Sequence, residues 1–224
     1  MTISLGKFKA SCNEVIDLIG YCDLLDNMNA HVRYPHDMPS IMRKLTYRER
    51  WRVCIDEGWY DVILSDGSVF QFRYEPNHLS YSYIVCPFAF MSFEDFAFDR
   101  LGEDWREFEL ELQDEYELYR TSDIAEQSVT PIRYDYEPLL YRKGFHPAGH
   151  LHFGIDSHIR VGTRKVLTPL SFLLFILRQN YPVTWEKILA HEEVKIFSRE
   201  IRENLVDVGA EFFSEEDAYE HYLV

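Results

Sequence analysis

The sequence contains few cysteines and no long apolar run. Its four cysteines form no C-x-x-C pair, which disfavours a zinc ribbon and a dense disulfide framework. We expect them to be buried thiols in a reducing compartment. The longest apolar run, residues 170–177, is too short to span a bilayer, and no charged-then-apolar signal sequence opens the chain. These absences predict a cytoplasmic protein with no membrane partner.

The chain is also poor in positive charge. Its 38 acidic residues outnumber 23 lysines and arginines, which gives a formal net charge of −15. A field of that sign opposes non-specific binding of DNA or RNA, although it allows a local basic pocket and suits a basic protein partner. P-loops, dinucleotide-binding glycine motifs, kinase motifs and nucleophile elbows are absent, so the sequence points to none of these function classes.

Hydrophobic periodicity predicts an α+β fold in a single domain, residues 1–224. Alternating apolar residues predict an antiparallel meander whose first hairpin turns at Ser65-Asp66-Gly67-Ser68. Its strands are predicted at residues 60–64, 69–74 and 79–85. Further strands are predicted at residues 130–136, 150–155 and 158–161, and we expect helices to pack on one side of the sheet.

Apolar residues at helical spacing predict the helices. An N-terminal helical element falls within residues 1–28, with Ser11 or Asn13 as its cap. Residues 104–120 fit either a strand or a helix, and the helix accounts for more of their apolar positions. Thr168-Pro169 predicts the start of a buried helix, with Thr168 as N-cap. Further helices are predicted at residues 184–204 and 214–221.

The residues best suited to chemistry cluster in the second half of the chain. His146, His150 and His152 fall within seven residues, and Arg133 and Asp135 lie on a predicted strand before them. Alternate residues of a strand point to the same face, so His150 and His152 are predicted to project together. The bend expected just before them would bring His146 toward that face.

Two chemistries use such a cluster. One is binding of a divalent metal by His150 and His152, with Asp135 or Asp156 as the carboxylate ligand. The other is metal-free catalysis on a phosphodiester, with His150 and His152 as general acid and base. In that case His146 would be a third catalytic member and Asp135 would orient a histidine. No cofactor other than this metal is expected.

Local positive charge favours an anionic ligand in the same region. Arg133 and Arg160 are the candidate phosphate-binding residues. The locally basic stretch consists of Arg133, Arg142, Lys143, Arg160, Arg164 and Lys165. Two other interpretations stay open. The arginines could simply offset nearby carboxylates, and the histidines could be a buried, hydrogen-bonded trio that locks a turn onto a sheet.

The motifs of this region also resemble a known family. The chain resembles an uncharacterised bacterial family, domain of unknown function 2290, over most of its length. The resemblance is carried by residues 132–136, 146–154, 159–160 and 167–169. The Arg-Tyr-Asp element followed by His-Pro and His-x-His is more loosely similar to TumE-type toxins, although the long meander departs from those small proteins. The resemblance implies a bacterial conflict setting, with a protein partner from the same operon.

The sequence thus favours a histidine-dependent phosphodiesterase or ribonuclease-like effector of a toxin–antitoxin or anti-phage defence system. RNA or a nucleotide would be its substrate. One alternative is a non-catalytic protein-binding subunit of such a system. The other is a histidine-ligated metal enzyme.

Overall fold

The computed structural model describes residues 3–88, 93–121, 129–156, 159–190, 201 and 203–219. These residues form a seven-stranded sheet in which the strands follow one another in sequence order. Every neighbouring pair is antiparallel, and the predicted α+β class is confirmed. The strands are β1 (Leu25–Met28), β2 (Val62–Leu64), β3 (Val69–Glu75), β4 (His78–Ile84), β5 (Ile132–Tyr136), β6 (Gly149–Phe153) and β7 (Ile159–Gly162).

Helices precede, interrupt and follow the strands. They are α1 (Leu5–Tyr21), α2 (Met38–Met42), α3 (Tyr47–Asp56), α4 (Phe93–Leu101), α5 (Glu109–Thr121), α6 (Pro169–Asn180), α7 (Pro182–Ala190) and α8 (Glu215–Tyr219). Short 3-10 turns cover Gly102–Phe108, Pro138–Leu140 and Ala210–Phe212. Within the described residues, no helix is both long and apolar enough to cross a membrane.

The chain forms two compact units. The first comprises Met1–Val85 and Thr130–Val224 and contains the sheet, and the second is Cys86–Val129. The second unit has an apolar centre of its own, made by Phe96, Ala97 and Leu112 with surrounding aromatic rings. The single domain over residues 1–224 stays a prediction.

One face of the sheet carries the main core. Tyr81 of β4 and Tyr134 and Tyr136 of β5 point to this face and are fully buried. Helix α6 packs here, because the ring of its Phe172 lies 6.0 Å from that of Tyr81. Phe8 of α1 lies 6.2 Å from the same tyrosine ring. Each fully buried large apolar side chain contributes about 1.5–3 kcal/mol, so this face provides most of the stabilisation of the first unit.

Helix α3 lies against the opposite, polar face. Gln71 alternates with the core aromatics of β3, and its amide donates to Trp59 O at 2.6 Å and to Cys54 Sγ of α3 at 3.2 Å. Tyr47, at the start of α3, donates to Val85 O at 2.7 Å. Helices therefore cover both faces, and the expectation of helices on one side is wrong. Gln71, Ser80 and Asp135 of this face are buried, which requires a covering layer there too.

The N-terminal helix is shorter than predicted. It ends at Tyr21, because Asp23 has a φ of 56°, and this left-handed conformation terminates a helix. Leu25–Met28 pairs with β2 instead, so the helical prediction to residue 28 is wrong at its end.

The caps are partly as predicted. Ser4 caps α1 through its side chain, and the predicted caps Ser11 and Asn13 lie inside the helix. Thr168 is the N-cap of α6, with Pro169 at its first position, as predicted. Thr46 forms a capping box with Glu49 at the start of α3, a helix that the hydrophobic pattern does not predict.

Most other predicted elements are confirmed. The hairpin and the third strand of the meander are β2, β3 and β4, and the later strands are β5, β6 and β7. Residues 104–120 are helical, first as a 3-10 turn and then as α5. Of the helix predicted at 184–204, residues up to 190 belong to α7 and residues 201 and 203 are helical, whereas residues 191–200 and 202 lie outside the described residues. The helix predicted at 214–221 is α8, and residues 220 and 221 also lie outside them.

Candidate metal site and cavity

Strand pairing brings the predicted site residues together. On β5, Arg133 and Asp135 alternate with core residues and so point to the polar face. On β6, His152 pairs directly with Arg133, and His150 pairs with Asp135. Directly opposed residues of neighbouring strands have Cβ atoms about 5 Å apart, so these four side chains form a compact square.

The turn before β6 adds the third histidine. Arg142 and His146 form an antiparallel bridge that folds the chain back. The His146 ring lies 4.9 Å from the His150 ring, and the His150 ring lies 4.7 Å from the His152 ring. The three imidazoles are therefore contiguous, as the bend before β6 suggested.

Asp135 is the centre of a polar network. Its Oδ1 accepts from Ser80 Oγ at 2.8 Å, and its Oδ2 accepts from Arg133 Nε at 2.7 Å. His152 Nε2 lies 3.3 Å from the same Oδ2. Burial by itself raises the pKa of the Asp135 carboxyl, but the hydrogen bond from His152, the charge of Arg133 and the hydrogen bond from Ser80 outweigh it. Together they hold the pKa of Asp135 well below its ordinary value, so the carboxyl is ionised.

His150 is held in one tautomer. Its Nδ1 lies 2.9 Å from Pro147 O, and a carbonyl oxygen only accepts, so Nδ1 carries the proton. Burial and then the neighbouring His152 lower the pKa of His150 to about 4. Its ring is therefore neutral at pH 7, with the lone pair on Nε2.

His146 has an unsatisfied nitrogen. Its Nδ1 is the one buried side-chain nitrogen or oxygen among the described residues that has no hydrogen-bond partner. Burial and then the charge of Arg160 lower the pKa of this histidine. An unsatisfied buried polar atom costs about 1–3 kcal/mol and is uncommon in native proteins, so it marks a position where a further ligand would be favourable.

The cluster has the composition and spacing of a metal site. One group consists of Asp135, His150 and His152, and a second of Glu137, His146 and His150. In each group the ligand atoms lie within 4.8 Å of one another. His152 Nε2 and Asp135 Oδ2 lie 3.3 Å apart, about the separation of two ligands of a tetrahedral metal. Binding of a metal would displace the proton of the hydrogen bond that joins these two atoms, since metal ligands bind in the deprotonated form. The two groups share His150, whose single lone pair serves one of them at a time.

A cavity adjoins the cluster on the polar face. It has a volume of about 490 Å³ and lies between the sheet and helices α2 and α3. Asp135 and Glu137 belong both to its lining and to the metal-ligand groups. His150 and His152 are 1% and 4% exposed and do not line the cavity.

The cavity is rich in arginine. Arg43, Arg50, Arg73 and Arg133 line it, against the two carboxylates Asp135 and Glu137. Arg133 uses only Nε for Asp135, and its terminal nitrogens have no partner among the described residues. This lining attracts anions in spite of the negative charge of the whole chain.

The predicted basic stretch is only partly retained. Lys143 pairs with Glu216 at 2.9 Å, and Lys165 pairs with Asp207 at 2.9 Å. Arg164 also lies 3.7 Å from Asp207. These three cations are paired with carboxylates, in agreement with the interpretation that the basic residues of this stretch offset nearby negative charge.

The other predicted residues have mixed positions. Arg160 pairs with His152 across β6 and β7 but is exposed and does not line the cavity. Asp156, the alternative carboxylate, is exposed and belongs to neither ligand group. Asp135 is therefore the carboxylate that the structure brings to His150 and His152.

Four residues of the site were not predicted from the sequence. Glu137 continues the alternation of β5 beyond Asp135, and this period-two pattern could have indicated it. Arg73 lies on β3, Arg50 lies in α3, and Arg43 directly follows α2. No local pattern links them to the cluster, because they meet it only through the packing of α2 and α3 on the sheet.

Comparison with protein families supports the first resemblance. A family model described as "Uncharacterized conserved protein (DUF2290)" matches residues 22–223. No curated protein and no solved structure matches the chain. Nothing in these comparisons supports the looser likeness to TumE-type toxins.

Proposed function

The chain belongs to the DUF2290 family of uncharacterised conserved proteins, and we propose that it is a metal-dependent phosphodiesterase. The observation that carries this proposal is the convergence of ligand atoms of Asp135, His150 and His152 within 4.8 Å, with Asp135 in the wall of an arginine-lined cavity. Two histidines and one carboxylate leave coordination positions open, which is typical of catalytic rather than structural metal sites.

The surrounding residues suit this role. Pro147 O holds His150 with its Nε2 lone pair free for a metal, and Ser80 fixes one oxygen of Asp135. Such supporting hydrogen bonds orient metal ligands and raise affinity. A divalent metal would polarise a phosphoryl oxygen and lower the pKa of a bound water. The terminal nitrogens of Arg133 would bind the phosphate oxygens.

The structure favours this form over metal-free catalysis by histidine. A general acid and a general base must both reach the reacting atoms, whereas His150 and His152 are almost completely buried. The ribonuclease-like activity, the bacterial conflict setting and the partner from the same operon stay predictions.

The same burial favours one second candidate, a non-catalytic binding subunit. Asp135 is already satisfied by Ser80, Arg133 and His152, and such a network can serve stability alone. In that case substitution of Asp135, His150 or His152 would lower the stability of the fold without changing any activity.

Metal content and turnover of the same preparations test the proposal. The full chain is purified without a tag, and its metals are measured by elemental analysis. Hydrolysis of bis(p-nitrophenyl) phosphate is then followed with Zn²⁺, Mn²⁺ or Mg²⁺. We expect one metal per chain and metal-dependent turnover, both lost in His150→Gln and Asp135→Asn. His36→Gln is the matched control, because His36 is exposed and outside the cluster.

The outcomes separate the candidates. Turnover that persists after EDTA treatment, or metal content that is the same in His150→Gln and His36→Gln, would contradict the proposal. A metal-free protein without turnover, whose His150→Gln variant only unfolds at a lower temperature, would favour the binding subunit.

A further inference from the structure

The cavity has two chemically different sides. Its sheet side is polar and includes Arg73, Ser82 and Arg133. Its helix side includes the apolar Met38 and Met42 and the aromatic Tyr47, beside two arginines. A ligand that fills it must therefore combine an apolar body with an anionic group, since small-molecule sites match their ligands in this way.

Two arginines on the helix side have no carboxylate partner among the described residues. Arg50 Nε donates to Leu45 O at 3.0 Å, and its Nη1 donates to Ile155 O at 3.2 Å. Arg43 Nε donates to Pro39 O at 3.0 Å. These bonds to backbone carbonyls fix each guanidinium and leave its charge unneutralised. A fixed, uncompensated guanidinium is well suited to binding a phosphate.

Arg50 lines the same cavity as Arg133, and hydrogen bonds connect it to the segment that precedes β5. The carbonyl of Ile155 that it contacts lies just beyond β6, and Gly154 N donates to Pro131 O at the start of β5. Ser82 pairs with Arg133 across β4 and β5, and its hydroxyl makes no hydrogen bond with a described residue. A phosphate near Arg133 would therefore meet a further donor and a further cation.

We propose that the cavity binds a nucleoside phosphate, with the phosphate on Arg50 and Arg133 and the base against Met42 and Tyr47. The proposal rests on the proposed function in one respect only, that a nucleoside phosphate is the product which the site releases when it hydrolyses a nucleotide phosphodiester. Bases stack on aromatic and other flat apolar side chains in a sequence-tolerant way, and methionine adapts to varied ring shapes.

The size of the cavity supports a ligand larger than a phosphate ion. Its volume of about 490 Å³ lies within the range of roughly 300–1,000 Å³ for small-molecule sites. Inorganic phosphate would leave the apolar side unfilled, and so would a sugar phosphate. Adenosine alone would leave the arginines without a counter-charge.

Calorimetric titration with four probes tests the proposal on the full chain after EDTA treatment. The probes are AMP, adenosine, ribose 5-phosphate and inorganic phosphate. We expect AMP to bind at least tenfold more tightly than the other three. Arg50→Gln should weaken AMP binding by about ten- to a hundredfold, as expected for loss of hydrogen bonds to a charged group. The matched control is Arg52→Gln, which removes the same charge from α3 at a position that does not line the cavity, and it should bind AMP like the wild type.

The AMP titration tests this inference whether or not the protein binds a metal. Arg50 and Met42 are not metal ligands, so AMP binding that depends on Arg50 in a protein without metal or turnover would sustain this inference and contradict the proposed function. Equal affinities for AMP and ribose 5-phosphate, or equal AMP affinities of Arg50→Gln and Arg52→Gln, would overturn the inference even where metal-dependent turnover is found. A Met42→Gln variant adds an independent check, because it should weaken AMP and adenosine and leave ribose 5-phosphate unchanged.

Discussion

At the scale of single residues, Asp61 is a half-buried acidic residue outside the candidate site. Its Oδ2 accepts from the Tyr34 hydroxyl and, at 2.7 Å, from Phe72 N. Burial raises the pKa of Asp61 to about 6, although these two hydrogen bonds lower it in part. The folded protein therefore binds a proton at this position more tightly than the unfolded chain does.

This pKa shift predicts a pH-dependent contribution to stability. Since the folded pKa lies above the unfolded value, the contribution is fully present below about pH 4 and is lost as the pH rises through about 6. A shift of about two units corresponds to up to about 3 kcal/mol. Asp61→Asn keeps a hydrogen-bond acceptor without the charge. We expect urea unfolding between pH 4 and 7.5 to show that the free energy of unfolding of Asp61→Asn increases relative to that of the wild type as the pH rises.

The comparison between the two proteins isolates Asp61 from other titrating groups. A constant difference in the free energy of unfolding across this pH range would contradict the prediction.

The unsatisfied Nδ1 of His146 predicts a second effect at this scale. Phenylalanine has a similar shape and no polar ring atom, so His146→Phe removes the unsatisfied nitrogen. We expect this variant, in EDTA, to be about 1 kcal/mol more stable than the wild type. His31→Phe is the control, since His31 is exposed and its replacement should change little. Loss of stability in His146→Phe would show that Nδ1 has a partner in solution, and urea unfolding of the three proteins decides between these results.

At the scale of elements, the start of α6 connects three parts of the first unit. Thr168 and Ser171 form a reciprocal capping box. Leu170 N donates to Ser11 Oγ of α1 at 2.9 Å, and Leu167 N donates to the Tyr134 hydroxyl of β5 at 3.1 Å. The cap therefore fixes the point at which α6 meets both α1 and the sheet.

Loss of this cap should lower stability measurably. Thr168→Ala leaves the backbone N–H of Ser171 without its acceptor, which typically costs about 1 kcal/mol and up to about 2. Thr168→Ser keeps the hydroxyl and should stay close to the wild type. Denaturant unfolding of the three proteins measures the difference, and equal losses in both variants would indicate packing of the threonine methyl group as the cause.

Elements differ in how far the sequence predicts them. Strand alternation is a local signal, and it predicts that His150 and His152 share one face of a strand and that Arg133 and Asp135 lie on another strand. Helix α3 has the capping-box spacing Thr46-x-x-Glu49, but its apolar pattern is weak, so hydrophobic periodicity did not indicate it. The cavity depends on how α2 and α3 pack on the sheet. That packing is a long-range contact, which no local pattern contains.

At the scale of the whole molecule, the second unit is inserted between two adjacent strands. Tyr83 of β4 pairs with Ile132 of β5, and Cys86–Val129 joins the ends of these strands. Strands β4 and β5 would therefore form a simple hairpin if a short turn connected them. The described residues of the metal-ligand groups and of the cavity lining all belong to the first unit.

This topology predicts that the first unit folds without the second. We expect a chain in which Asn-Gly replaces residues 86–129 to unfold cooperatively. The proposed metal site also predicts that this shortened chain binds as much metal as the full chain. The shorter connection also lowers the entropy cost of bringing β4 and β5 together, by about 0.6 kcal/mol for each halving of the loop.

Phe96→Ala in the full chain is the control, because it disrupts only the apolar centre of the second unit and should also leave the metal content unchanged. Thermal unfolding and elemental analysis check both variants, and a shortened chain without a cooperative transition would show that the sheet requires the second unit.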